Sequence, residues 1–232
     1  MSLILSIETS SQKCSVALHD QGSLIAASQS EEESAHAKKL TLLIEEVVKK
    51  AATKLSSLVG IAISIGPGSY TGLRIGLASA KGLCFGLDKP LIAVPTLKIL
   101  AARHVDSTEH QILIPVMDAR RMEVYAAVYT NDLQELEPAN PLILDEMSFA
   151  AYQEKNALIF GHGAQKFMDS FPNPSFTFNL ENPSPEAIHM GQLAYEAYLN
   201  KKFENIVTIE PDYLKEYMGQ KPQKNTSNGE CD

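Results

Sequence analysis

The chain has 232 residues, 44% of them apolar and 21% charged, which is enough for one large or two small domains with a proper core. Its 28 acidic residues outweigh 20 lysines and arginines, and the resulting net charge of -8 excludes a chain that grips nucleic acid alone through a broad basic face. No run approaches the roughly 18 apolar residues of a membrane span. The start Met1-Ser2-Leu3-Ile4-Leu5 lacks a basic region followed by a long apolar stretch, and Cys14, Cys84 and Cys231 stand far apart without Cys-x-x-Cys spacing, so the expectation is a cytoplasmic chain with reduced thiols.

Residues 3–7 read as a buried strand, and 14–19 and 24–27 as two more, joined by a turn at Asp20-Gln21-Gly22. From about residue 31 to 54 the positions Leu40, Leu43, Ile44, Val47, Val48 and Ala51 recur three and four apart, the period of an amphipathic helix. Glu31, Glu32 and Glu33 fall near its start, where the helix dipole favours carboxylates by about 0.3 to 1 kcal/mol each, and capping is preferred over a metal site. Residues 61–65 then predict a strand, 72–86 a helix, 91–94 a strand and 96–104 a helix. Three antiparallel strands, helix, strand, helix, strand is a ribonuclease H-like order, and it closes a first lobe over residues 1–105.

The junction Gly66-Pro67-Gly68-Ser69-Tyr70-Thr71-Gly72-Leu73-Arg74 turns an apolar strand directly into a helix. Its amides and the positive helix end can hold a phosphate or a carboxylate. Equally, Pro67 and Gly68 can make the turn while Ser69 or Thr71 caps the helix and binds nothing. The pattern matches neither the Walker loop nor the dinucleotide fingerprint.

Residues 106–111 are polar and aperiodic and mark a boundary. Beyond it 112–117 and 123–129 read as a strand pair, 158–160 as a strand, 164–170 as a helix and 185–200 as a longer helix, giving a second lobe over 106–218. Residues 219–232 carry no apolar periodicity and read as a flexible tail. Arg120 and Arg121, with Asp118 and Glu123, form a charged cluster at a predicted hairpin. The two guanidiniums can hold a phosphate, or an ion-pair network within the turn can absorb them, which is the safer assumption and is worth about 0 to 1 kcal/mol per pair.

Ile4-Leu5-Ser6-Ile7-Glu8-Thr9-Ser10, residues 66–76, Val94-Pro95-Thr96-Leu97, Asp118-Ala119-Arg120-Arg121-Met122-Glu123-Val124-Tyr125 and Glu210-Pro211-Asp212-Tyr213-Leu214 together resemble the bacterial TsaB family (also called YeaZ) over residues 3 to about 218. The resemblance implies an α/β protein of the actin-like ATPase, sugar kinase and Hsp70 type, built of two ribonuclease H-like lobes. It also implies a non-catalytic subunit that pairs with its larger homologue TsaD to form threonylcarbamoyladenosine next to the tRNA anticodon. TsaC makes the adenylate, TsaE is an ATPase that docks at the TsaB and TsaD junction, and tRNA and ATP are engaged through these partners. The catalytic branch carries a His-x-x-x-His metal pair; here His36 is followed four residues later by Leu40, and His19, His104, His110, His162 and His189 offer no such pair, so no metal and no bound cofactor are expected.

Kinases of this fold hold phosphates with a hairpin after the first strand, usually an Asp followed by a glycine-containing turn. Here it is Glu8-Thr9-Ser10-Ser11-Gln12-Lys13, without glycine, which predicts a degenerate nucleotide or anion site around Glu8, Thr9, Ser10, Gly66, Gly68, Ser69 and Thr71. Gly72, Gly76 and Ala80, four apart with Ser79 beside them, form a small-residue face that packs closely on the chain's own sheet, on the preceding helix or on another subunit. The resemblance, whose members self-associate and bind TsaD through the N-terminal lobe, points to a subunit interface at Gly72, Arg74, Gly76 and Ala80, with His36 and Lys39 on the neighbouring helix. The competing expectations are a self-sufficient kinase or metallopeptidase of the actin-like superfamily, and a homodimeric protein that binds an anion or nucleotide.

Overall fold

The structure, a computed structural model, describes residues 1–31, 36–105, 110–181 and 184–215. The first sheet consists of β1 (Leu3–Glu8), β2 (Cys14–Asp20), β3 (Ser23–Ser30), β4 (Leu58–Ser64) and β5 (Leu91–Val94) in the order β3-β2-β1-β4-β5. β1 pairs antiparallel with β2 and parallel with β4, so it lies mid-sheet, and all six of its residues are buried. Alternation splits them between two layers. Leu3, Leu5 and Ile7 face α1 (His36–Lys50) and α2 (Tyr70–Leu87), which contribute Leu40, Leu43, Ile44, Val47, Leu77, Ala80 and Cys84 to one core. Ile4 faces the opposite layer with Ala17, Ala62, Ile92, Val94 and Ile99.

The second sheet holds β6 (Ile112–Asp118), β7 (Glu123–Thr130), β8 (Glu135–Ile143), β9 (Ala157–Phe160) and β10 (Thr177–Asn179) in the order β10-β9-β6-β7-β8. Phe167 of α4 (Ala164–Ser170) anchors one face of it, ringed by Phe149, Phe171, Phe176 and Phe178. α3 (Thr96–Ala102) joins the sheets: Ile99 sits in the core of the first, while Leu97, Leu100 and Ala101 pack with Leu113, Tyr129, Leu158 and Phe160 of the second.

Several sequence expectations are corrected. The helix expected over 31–54 ends at Lys50, because Ala52 turns left-handed at φ 48° and the Thr53 amide closes back on the Val48 carbonyl. Glu32 and Glu33 lie outside the described residues, and Glu31 faces Lys13 instead of capping. The helix expected over 185–200 opens as a 3-10 turn, Ala187–Met190, before α5 (Gly191–Leu199). Strands β8 and β10 were not anticipated. Most consequentially, Ala187, Met190 and Ala194 complete the outer core of the first sheet, and Glu204 bridges to Leu91 on β5. Residues 106–218 are therefore not a single lobe, since their last helix covers the first sheet. The expected tail, 219–232, lies outside the described residues.

Candidate functional site

The segment between β4 and α2 is closed by its own atoms. Ser69 accepts from the Gly72 amide at 3.2 Å, as a helix-capping serine does. The Ser69 amide donates to the Ser10 carbonyl at 2.6 Å, and the Gly66 amide to Thr96 Oγ1 at 3.2 Å. Three of the amides in and beside this loop, those of Gly66, Ser69 and Gly72, are thus spent inside the chain. The glycines serve close approach: a Cβ on Gly68 would overlap the Ser10 carbonyl, one on Gly72 the Thr9 carbonyl and one on Gly76 Thr9 Oγ1, while Gly66 holds φ 124° beside the Asp212 carbonyl. The loop thereby seals the β1–β2 turn, where the degenerate site was expected. Thr71, at the start of α2, is exposed.

Beneath this seal lies Glu8, fully buried at the end of β1. Its Oε1 accepts the Ser10 amide at 2.5 Å, whereas Oε2, Thr9 Oγ1 and Ser10 Oγ are buried without a hydrogen-bond partner. Burial raises the carboxyl pKa to about 7, against the opposing pull of the Ser10 amide. The protonated form is therefore well populated near neutral pH. Lys13, on the same turn, is held by Glu186 at 2.6 Å and Glu31 at 3.4 Å; burial would lower its pKa, but these carboxylates prevail and raise it. An ammonium that could meet a phosphate is therefore already paired.

The small-residue face of α2 points inward. Gly72, Gly76 and Ala80 are buried, the two glycines against Thr9 and Gly76 also against Ile63 of β4, which excludes them as surface contacts and corrects the placement of the interface on these three positions. The outward face carries Arg74, Ala78, Gly82 and Phe85; Phe85 is 82% exposed, and a Cβ at Gly82 or Gly86 would meet nothing within 4 Å. Lys39 is half-buried on α1, and the side chain of His36 lies outside the described residues. Alongside α2 runs the C-terminal segment, fixed by Asp212 N to the Ile65 carbonyl at 2.8 Å, Lys81 Nζ to the Ile209 carbonyl at 2.7 Å and Arg74 Nε to Tyr213 Oη at 2.8 Å. The Arg74 guanidinium also lies 4.1 Å from the Tyr70 ring centre and 5.8 Å from that of Tyr213. Between helix and segment is a shallow groove of about 270 Å³ that includes Arg74, Ala78, Lys81 and Glu210. Sequence reasoning missed this clamp; its one signal was that Arg74 and Tyr213 fall in two motifs of the same resemblance.

On the second sheet, the β6–β7 turn places Arg120 and Arg121 at φ 70° and 50°, the left-handed region that costs a non-glycine residue roughly 1 to 2 kcal/mol. Lys166 of α4 pins it through Asp118 Oδ1 at 2.8 Å, the Arg121 carbonyl at 2.7 Å and the Glu123 carbonyl at 2.9 Å. Burial would raise the Asp118 pKa, but Lys166 and the Arg120 amide hold it below its usual value. Elsewhere, His19 joins Ser6 Oγ to the Ile188 carbonyl at 3.2 Å each, and His104 lies tilted against Phe160 with ring centres 4.4 Å apart. Among the described residues no three His, Cys, Asp or Glu side chains converge as metal ligands, and no helix is long and apolar enough to cross a membrane.

Residues 25–174 match the family model described as TsaD: tRNA N6-adenosine threonylcarbamoyltransferase. Over 226 residues the chain is 30% identical to the tRNA threonylcarbamoyladenosine biosynthesis protein TsaB of Bacillus subtilis, covering 91% of this chain and 93% of that protein. The TsaB of Haemophilus influenzae is 28% identical over 222 residues, with the same coverage. Among solved structures, YeaZ from Pseudomonas aeruginosa superposes with a TM-score of 0.79 at 25% identity, covering 92% of this chain and all of that one. The ethanolamine utilization protein EutJ from Carboxydothermus hydrogenoformans, at 10% identity and a TM-score of 0.51, shares the fold alone, with 83% of this chain and 90% of that one covered. With this similarity extending over nine-tenths of both chains, the chain belongs to the TsaB (YeaZ) family.

Proposed function

We propose that the chain is a non-catalytic cytoplasmic subunit in the formation of threonylcarbamoyladenosine at the tRNA adenosine next to the anticodon. It binds and positions TsaD and helps form the surface on which TsaE docks; TsaC supplies the adenylate, and ATP is used by those partners. The observation that carries this reading is the closed β1–β2 turn. Gly68, Ser69 and Gly72 occupy the approach to Glu8, and Lys13 is neutralised by Glu186 and Glu31. A chain whose phosphate turn is filled by its own groups contributes shape instead of chemistry.

The surface offered is the outer face of α2, with Arg74, Ala78, Gly82 and Phe85, beside α1, which packs on α2 and exposes 58% of Leu42. Small residues at 78 and 82 let a partner helix approach, and an exposed phenylalanine supplies the apolar anchor. Without TsaD, the chain pairs with a second copy. The test is tRNA modification in a mixture of TsaC, TsaD and TsaE with ATP, threonine and bicarbonate, run with and without this chain, and with Phe85→Glu and Gly82→Trp. Product that requires the chain, together with loss of TsaD capture by folded Phe85→Glu or Gly82→Trp, is expected. Equal product without the chain overturns the reading.

A further inference from the structure

Two carboxylates beside Arg120 and Arg121 would ordinarily neutralise them. In the structure both are taken by lysines from elsewhere: Asp118 by Lys166 of α4, and Glu123 by Lys215 of the C-terminal segment. No side-chain hydrogen bond or ion pair among the described residues involves either guanidinium, and both arginines are exposed. His162 also faces this turn, and burial lowers its pKa. The ion-pair network that the sequence suggested is therefore present with different cations, and the arginines are left over.

Their backbone is held for them. Consecutive left-handed residues favour glycine or asparagine, yet both positions carry long cationic side chains. Lys166, whose side chain is only 17% exposed, grips the turn through three acceptors, and the Arg120 amide donates to Asp118 Oδ1 at 2.6 Å. The turn is a firm mount presenting two guanidinium forks that are unpaired among the described residues, on an otherwise acidic chain.

The geometry points to the Arg120–Arg121 hairpin as a direct contact for the phosphate backbone of RNA. Met122, 38% exposed, and Ile143, 71% exposed opposite Glu123, are apolar neighbours of the tip, but guanidinium forks take phosphate oxygens bidentately without using either, which favours a phosphate backbone. The inference rests on the proposed role in tRNA modification and adds that the acidic chain touches the substrate itself, at one point.

The test uses the assembled complex with TsaD and an unmodified tRNA transcript, measuring affinity across a salt series. R120A/R121A is expected to weaken tRNA binding about tenfold and to lower the slope of log affinity against log salt by about one to two, one unit per lost phosphate contact. R120K/R121K should retain most of the slope. R120N/R121G, which suits the left-handed turn, should melt higher than the parent yet bind tRNA as poorly as the alanine pair, separating contact from folding. Unchanged tRNA affinity and slope in the alanine pair overturn the inference, as does loss of TsaD capture in its place. If instead omitting the whole chain leaves modification unchanged, the subunit role itself fails, a result distinct from failure of the arginines alone.

Discussion

Replacing Glu8 by glutamine should stabilise the protein, increasingly so as pH rises. The folded-state pKa is raised from 4.5 to about 7 by burial. Below the unfolded value both states are protonated and the carboxyl costs nothing. Between the two values the unfolded chain releases its proton while the folded chain keeps it, so stability falls with rising pH by up to about 1.4 kcal/mol per unit and levels off above pH 7. The accumulated penalty is about 3 kcal/mol, which glutamine avoids because it never ionises. Its oxygen keeps the Ser10 amide. Urea unfolding of both proteins from pH 5 to 8 gives a difference curve in which other carboxylates cancel. A rise toward about 3 kcal/mol in favour of glutamine is expected. A flat difference, or one that favours glutamate at high pH, would refute burial as the dominant influence on this group.

Two glycines on α2 should respond oppositely to alanine: Gly76→Ala forces a Cβ into Thr9 Oγ1 and should cost about 1 to 3 kcal/mol, whereas Gly82→Ala enters open space and should gain about 0.5 to 1 kcal/mol by helix propensity. Thermal melting distinguishes them, and equal midpoints would count against the packing described. His104 has its pKa lowered to about 4 by burial and by Arg103, His189 and His110, so its contribution is complete above pH 6.5 and is lost as pH falls toward 4; an NMR titration showing protonation near pH 6.5 would contradict this. Tyr213→Phe removes the acceptor for Arg74 and should speed proteolysis and amide exchange in residues 203–215 while leaving the midpoint of global unfolding nearly unchanged.

The first sheet was legible because its signals are local: β1 is a short apolar run, and Pro67 with the glycines announces a turn into α2. β8 gave no such signal, since it is an edge strand with Pro138 and Pro141 and almost no buried residue, so neither alternation nor an apolar run marks it. The candidate site was legible in part. Helical spacing identified Gly72, Gly76 and Ala80 as a surface of close approach, yet smallness does not say what approaches; the answer, Thr9, lies some sixty residues earlier in the chain. Arg120 and Arg121 are visible as charge, but their lack of partners among the described residues depends on Lys166 and Lys215, which only the fold brings to Asp118 and Glu123.

The return of residues 187–199 to the first sheet also bears on how the chain is made. Ile4, Ala17, Ile92 and Val94 are synthesised long before Ala187, Met190 and Ala194, the residues that cover them. At a ribosomal rate of about 5 to 20 residues per second, that apolar face waits on the order of ten seconds for its lid. During this interval the nascent first lobe is a natural client for a chaperone, and release of a chain truncated before α5 would leave a sticky half-sandwich.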